Sequence, residues 1–136
     1  MKWAALVPEL AVSDLAASLA FYTQALGFRL EYERSGFAYL SLGEAQIMIE
    51  QAGDHWSTDL LEPPYGRGIN FQIEVENVDA LLHRLSDKSW PLFKPLQTQW
   101  YKAGELEHGQ VEFLIQDPDG YLLRFCQVLG NRPIES

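Results

Sequence analysis

The stretch Ile69-Asn70-Phe71-Gln72-Ile73-Glu74-Val75-Glu76-Asn77-Val78 decides the fold. Its residues alternate, with Ile69, Phe71, Ile73 and Val75 on one side and Asn70, Gln72 and Glu74 on the other, which is the period of a strand with one apolar and one polar face. Asn77 then offers the side-chain oxygen of a helix N-cap, and Val78, Leu81, Leu82 and Leu85 follow at the spacing of a helical apolar stripe. The same order stands 63 residues earlier: Val7 falls on Asn70, Leu10 on Ile73, Val12 on Val75, Asp14 on Asn77 and Leu19 on Leu82. The spacing therefore predicts a strand over 5–12, an N-cap at Ser13-Asp14, and a helix with Leu15, Leu19, Tyr22 and Leu26 on one face, ended by Gly27.

Three short apolar runs follow each helix. In the first half they lie at about 28–34, 37–42 and 45–50, separated by Ser35-Gly36 and Gly43-Glu44. In the second they lie at about 92–100, 110–116 and 121–127, the last two joined by the turn Asp117-Pro118-Asp119-Gly120. Near the module ends the offset grows to 76, placing Phe37 on Phe113 and Met48 on Arg124, so the second half carries 13 extra residues around Trp90 to His108. The expectation is an α+β fold within one domain, residues 1–136: two paired βαβββ modules, about 5–50 and 68–128, joined by a connector over 51–67. Neither module can bury a half-sheet alone, so pairing them predicts a curved mixed sheet with helices on its outer side and a concave crevice on the other.

Composition narrows the functions open to such a fold. A chain of 136 residues with 47% hydrophobic and 21% charged residues fills a core without disulfides, which sets aside disorder and stapled miniproteins. Ten basic against nineteen acidic residues give −9, a field that repels nucleic acid and draws cations. No run approaches the 18 apolar residues of a membrane span, and Met1-Lys2-Trp3-Ala4 leads toward the first strand without a cleavage motif, so a cytoplasmic protein is expected. One cysteine, Cys126, excludes an intramolecular disulfide and a cysteine-rich metal site.

Three segments together carry a resemblance: Val12-Ser13-Asp14-Leu15 through Phe21-Tyr22 to Leu26-Gly27-Phe28, then Gly68 to Val75, then Gln110 to Tyr121 with Asp117-Pro118-Asp119-Gly120. In order and spacing the chain, from about Ala5 to Val128, resembles the vicinal oxygen chelate superfamily, and most its glyoxalase/bleomycin-resistance branch. The resemblance implies paired βαβββ modules, a homodimer and a small-molecule site in the crevice. In metal-dependent members it implies His, Gln or Glu ligands at the places held here by Val7, Met48, Asn70 and Arg124. Valine offers no donor, methionine is soft, asparagine is a weak neutral ligand and arginine is a permanent cation, so no metal and no cofactor are expected.

The candidate site is therefore polar and aromatic. Asn70, Gln72 and Glu74 alternate away from the apolar row, and Arg124 does so against Leu123 and Phe125, so a guanidinium, two amides and a carboxylate converge on one floor, as ligand contacts or as an internal Arg–Glu or Arg–Asn network. Phe37 and Tyr39, Trp56 and Tyr65, and Trp90, Trp100 and Tyr101 supply stacking surface. In drug-binding members the resemblance pairs an aromatic at Phe37 with one on a later loop, a place for His108 or for Trp100-Tyr101. His55, His83 and His108 have no partner at metal spacing, and Glu105-Leu106-Glu107-His108 reads as a solvated loop. The leading reading is a metal-free, homodimeric binder that sequesters a cationic or aromatic small molecule such as an antibiotic. The alternative is a metal-free lyase, isomerase or thiol transferase with Glu74 as base and Arg124 as electrostatic stabiliser. A third is an interaction module whose crevice is filled by its own side chains.

Overall fold

The structure, a computed structural model, describes residues 2–53 and 57–134. It divides into two compact units: Met1–Gly68 with Asp117–Tyr121, and Ile69–Gln116 with Leu122–Ser136. Each has a four-stranded mixed sheet and a helix, in the order the sequence predicts. No helix among the described residues is long and apolar enough to cross a membrane.

In the first unit β1 (Glu9–Val12), β2 (Arg29–Arg34), β3 (Phe37–Leu42) and β4 (Ala45–Gln51) are ordered β1-β4-β3-β2, with β1 parallel to β4 and the other pairs antiparallel. The strand expected over 5–12 is only its second half, because Pro8 has no N–H to donate, and Val7 lies ahead of it. Helix α1 (Leu15–Ala20) is capped as predicted, Asp14 accepting from the Ala17 N–H. It does not run on as an α-helix to Leu26, for Phe21–Ala25 form a π-helical turn. The wider turn rotates the buried face, so Ser18, Phe21, Tyr22, Ala25 and Leu26 point inward while Leu15 and Leu19 stay half-exposed. Tyr22 is fully buried, edge-on to Phe21 and Phe28, and donates to Asp117 Oδ2 at 2.7 Å.

That bond explains the Asp-Pro-Asp-Gly turn. Asp117 Oδ1 accepts the N–H groups of Asp119 and Tyr121, Asp119 takes the Ser13 hydroxyl and N–H, and Tyr121 donates to the Ala11 carbonyl. Gly120 is held at φ 97°, where any Cβ would lie 2.5 Å from the Pro64 side chain.

The second unit repeats the plan: β5 (Asn70–Glu74), β6 (Lys94–Ala103), β7 (Leu106–Gln116) and β8 (Leu122–Pro133) are ordered β5-β8-β7-β6, and α2 spans Val78–Asp87. The internal repeat extends to atomic detail. The caps Asp14 and Asn77 have φ/ψ of −143/99 and −144/99, and Asn77 accepts from Ala80 as Asp14 does from Ala17. Glu9 pairs with Met48 and Gln72 with Arg124, the same register at the two offsets read from the sequence. Val78, Leu81 and Leu85 of α2 are buried, Leu82 only partly, and the helix packs on β8; Phe113 and Phe125 stack in this core at 5.6 Å.

The extra residues of the second half do not make a loop. They lengthen β6 and β7 into a long hairpin, which corrects the placement of Trp100, Tyr101 and His108: all three are strand residues.

Candidate functional site

The sequence-predicted residues fall on two sheet faces, one in each unit. On the first unit's sheet, Phe37 and Tyr39 of β3 and Met48 of β4 alternate away from the helix-side row Ala38, Leu40, Ile47 and Ile49. Both aromatics are buried, at 3% and 5% exposure. Arg34 lies over the Phe37 ring at 3.7 Å, and Tyr32 stacks on Tyr39 at 5.3 Å. Trp3, more than half exposed, stands edge-on to Tyr39 at 4.9 Å, and the Tyr39 hydroxyl donates to Gln46. The register brings Glu9 of β1 beside Met48 and Glu50 beside Phe37. A hydrogen bond to Glu50, then burial, then the Glu50 charge push the Glu9 carboxyl up from 4.5 to about 7, against the opposing pull of Arg34. This acid pair beside an aromatic cluster was missed by sequence reasoning, which had singled out only Phe37, Tyr39 and Met48.

On the second unit's sheet, Asn70, Gln72 and Glu74 are exposed along β5, and Arg124 is their neighbour on β8, directly opposite Gln72. Arg124 does not pair with Glu74. Its Nη1 lies 3.5 Å from Oε2 of Glu112, a residue of β7 that is 1% exposed, and the Tyr101 hydroxyl donates to Oε1 of the same carboxylate. Burial, followed by this contact, pushes the Tyr101 phenol above its usual range. Beside them Gln110, also buried, donates to Gln72 at 3.2 Å. Cys126, on β8 with Arg124, is buried, and desolvation raises its thiol away from reactivity.

Tyr101 and Trp100 cannot both serve this face, because consecutive strand residues point opposite ways. Trp100 lies against Gly109, where a Cβ would come within 2.4 Å of its ring, and under the Arg132 guanidinium at 3.8 Å; Arg132 is in turn fixed by Glu107. His108 is held by Asn131 at 2.9 Å. Tyr65 packs edge-on against Tyr121, and Trp90 donates to the Gln116 carbonyl. His83 is exposed on α2. His55 and Trp56 lie outside the described residues.

At the metal places implied by the resemblance, the donors present decide whether an ion fits. Val7 and Met48 belong to the first unit, Asn70 and Arg124 to the second. A guanidinium already engaged by Glu112 repels a cation, and the remaining three offer at most one thioether and one amide, so this set does not fit a divalent ion. Among the described residues no three His, Cys, Asp or Glu side chains are grouped to hold one. A cavity of about 420 Å³ in the first unit, lined by Gly27, Arg29, Glu31 and Ser41, lies away from these residues, and its Ser41 and Glu31 satisfy each other at 2.6 Å.

Two βαβββ units of mixed four-stranded sheet define a glyoxalase-type fold. The Glyoxalase/Bleomycin resistance protein/Dioxygenase superfamily profile matches residues 4–125, and the chain belongs to that superfamily. It is 30% identical over 137 residues to the bleomycin resistance proteins of Geobacillus stearothermophilus and Staphylococcus aureus, an alignment covering 92% of this chain and 97% of theirs. Among solved structures it is similar in fold to TioX from Micromonospora sp. ML1 (TM-score 0.72, 21% identity, 93% of this chain and 100% of that one). A glyoxalase/bleomycin resistance protein/dioxygenase from Alicyclobacillus acidocaldarius is also similar (TM-score 0.65, 20% identity, 91% and 90%).

Proposed function

We propose that the chain is a metal-independent small-molecule-binding protein that sequesters a cationic or aromatic compound, in the manner that the name of its bleomycin resistance relatives suggests. The observation that carries this reading is the engagement of Arg124 by Glu112: the place of a metal ligand is taken by a guanidinium that faces a buried carboxylate. The aromatic surface of Trp3, Tyr32 and Tyr39 beside Glu9 and Glu50 supports a ligand that is flat and positively charged, since ring faces and carboxylates both attract cations. Of the two residues that the enzymatic alternative names, Glu74 is exposed on β5 and Arg124 pairs with Glu112.

Calorimetric titration with a bleomycin, followed by chromatography of the incubated mixture, tests the proposal. Saturation at one equivalent per chain with the compound recovered unchanged is the expected result. Continuing conversion would make the protein an enzyme, and absence of binding would remove this class of ligand.

A further inference from the structure

Glu112 is almost wholly buried, yet only one of its oxygens is satisfied. Oε1 accepts from Tyr101; Oε2 has no hydrogen-bond donor and lies 3.5 Å from Nη1 of Arg124. Nε of Arg124 is buried and makes no hydrogen bond either. A guanidinium and a carboxylate that satisfy each other alone lie fork to fork, with two N–H···O bonds of roughly 2.7–2.9 Å. Here the pair stands at 3.5 Å, and one donor and one acceptor are left open. Nε and Nη1 share one carbon, so the open donor belongs to the same guanidinium that lies against the open acceptor.

The charges of the pair cancel. An anion brought to it gains from Arg124 and is repelled by Glu112, and a cation meets the reverse. A neutral group with one donor and one acceptor completes both orphans without an uncompensated charge, and a buried polar atom left unsatisfied is costly.

We propose that Tyr101, Glu112 and Arg124 form a recognition site for an uncharged ligand group carrying both a donor and an acceptor, a carboxamide or a hydroxyl. The inference rests on the reading of this sheet face as ligand-binding and adds the chemistry of the group that it takes. Gln72 and Gln110 continue the neutral polar surface, and Val128, paired with Gln110 and 40% exposed, offers apolar contact to the body of the ligand. Tyr101 keeps its bond to Oε1, and Arg124, whose side chain is 28% exposed, links the pair to solvent.

Benzamide, benzoate and benzamidinium have nearly one shape and carry charges of 0, −1 and +1, so they separate these requirements. Each is titrated into the isotopically labelled full chain while the backbone amide resonances of Tyr101, Glu112 and Arg124 are followed. Benzamide is expected to move all three and to bind about tenfold more tightly than either ion, the ratio that 1.4 kcal/mol of differential binding provides. In Glu112→Gln the guanidinium loses its counter-charge, and the order inverts in favour of benzoate. The wild-type comparison stands without the variant. Equal or tighter binding of either ion to the wild type, or no movement of the three resonances with any probe, overturns the proposal. If benzamide behaves as stated while a bleomycin does not bind, the site stands and the sequestration reading falls; stoichiometric sequestration with an ion preferred at these residues is the converse.

Discussion

Removing the guanidinium of Arg124 would leave Glu112, 1% exposed, as a buried carboxylate answered only by a tyrosine hydroxyl. Breaking such a pair from one side costs roughly 3–5 kcal/mol when both partners are buried. Arg124 keeps 28% of its side chain exposed, so a loss of about 3 kcal/mol is expected for Arg124→Ala in urea unfolding, against about 1 kcal/mol for Tyr101→Phe. Equal effects of the two substitutions, or none, would contradict the ion pair. Sequence reasoning reaches Arg124 and leaves it open between a ligand contact and an internal Arg–Glu or Arg–Asn network, without reaching Glu112. In Gln110-Val111-Glu112-Phe113 the period places Glu112 on the polar face, and a polar face ordinarily reads as solvated, so nothing local marks this carboxylate as buried. The pairing follows from the register of β7 with β8, which places Leu114 opposite Arg124 and Glu112 opposite Cys126. That information is long-range. The adjacency of Trp100 and Tyr101 misled for a related reason: read as a loop the two share a site, but on a strand they are divided between its faces.

At the level of elements, the caps and strand order were legible because Asp14 and Asn77, the apolar stripes and the Asp-Pro-Asp-Gly turn act within a few residues of chain. The π-helical turn at Phe21–Ala25 was not, since it sets the same apolar residues on a rotated face. The carboxylates of Glu9 and Glu50 also stand 41 positions apart and meet only through the parallel pairing of β1 with β4. Their meeting has a measurable sign. Glu9 titrates at about 7 in the folded chain, above the ordinary 4.5, so the folded state holds a proton that the unfolded chain gives up. The stability tied to that proton is fully present below pH 4.5 and is lost as pH rises through about 7. Burial raises Asp117 as well, which adds a loss of the same direction. In Glu9→Gln the amide donates to Glu50 at every pH, so the fall in melting temperature between pH 5 and 8 should flatten relative to the wild type. Identical pH profiles for the two proteins would show that Glu9 and Glu50 do not share a proton.

For the molecule as a whole, the acidity of the chain and its apolar surface bear on assembly. Leu92, Phe93, Leu96, Val128 and Leu129 of the second unit are each at least 39% exposed, more apolar surface than a lone unit needs. We propose a homodimer that covers part of it, and sedimentation equilibrium at micromolar concentration should return twice the 15.5 kDa chain mass, a monomer being the contrary result. Net charge of −9 keeps such a species soluble without choosing its ligand. The central claim is that ligand binding here proceeds without a metal, and the most direct measurement is elemental analysis of the purified protein joined to its melting temperature before and after chelation. A tightly held ion at a thousand times its dissociation constant stabilises the folded state by about 4 kcal/mol, so its removal would be seen as a clear drop. The account predicts metal far below one equivalent per chain and an unchanged melting temperature; one transition metal per chain, with a melting temperature that falls when it is stripped, would contradict it.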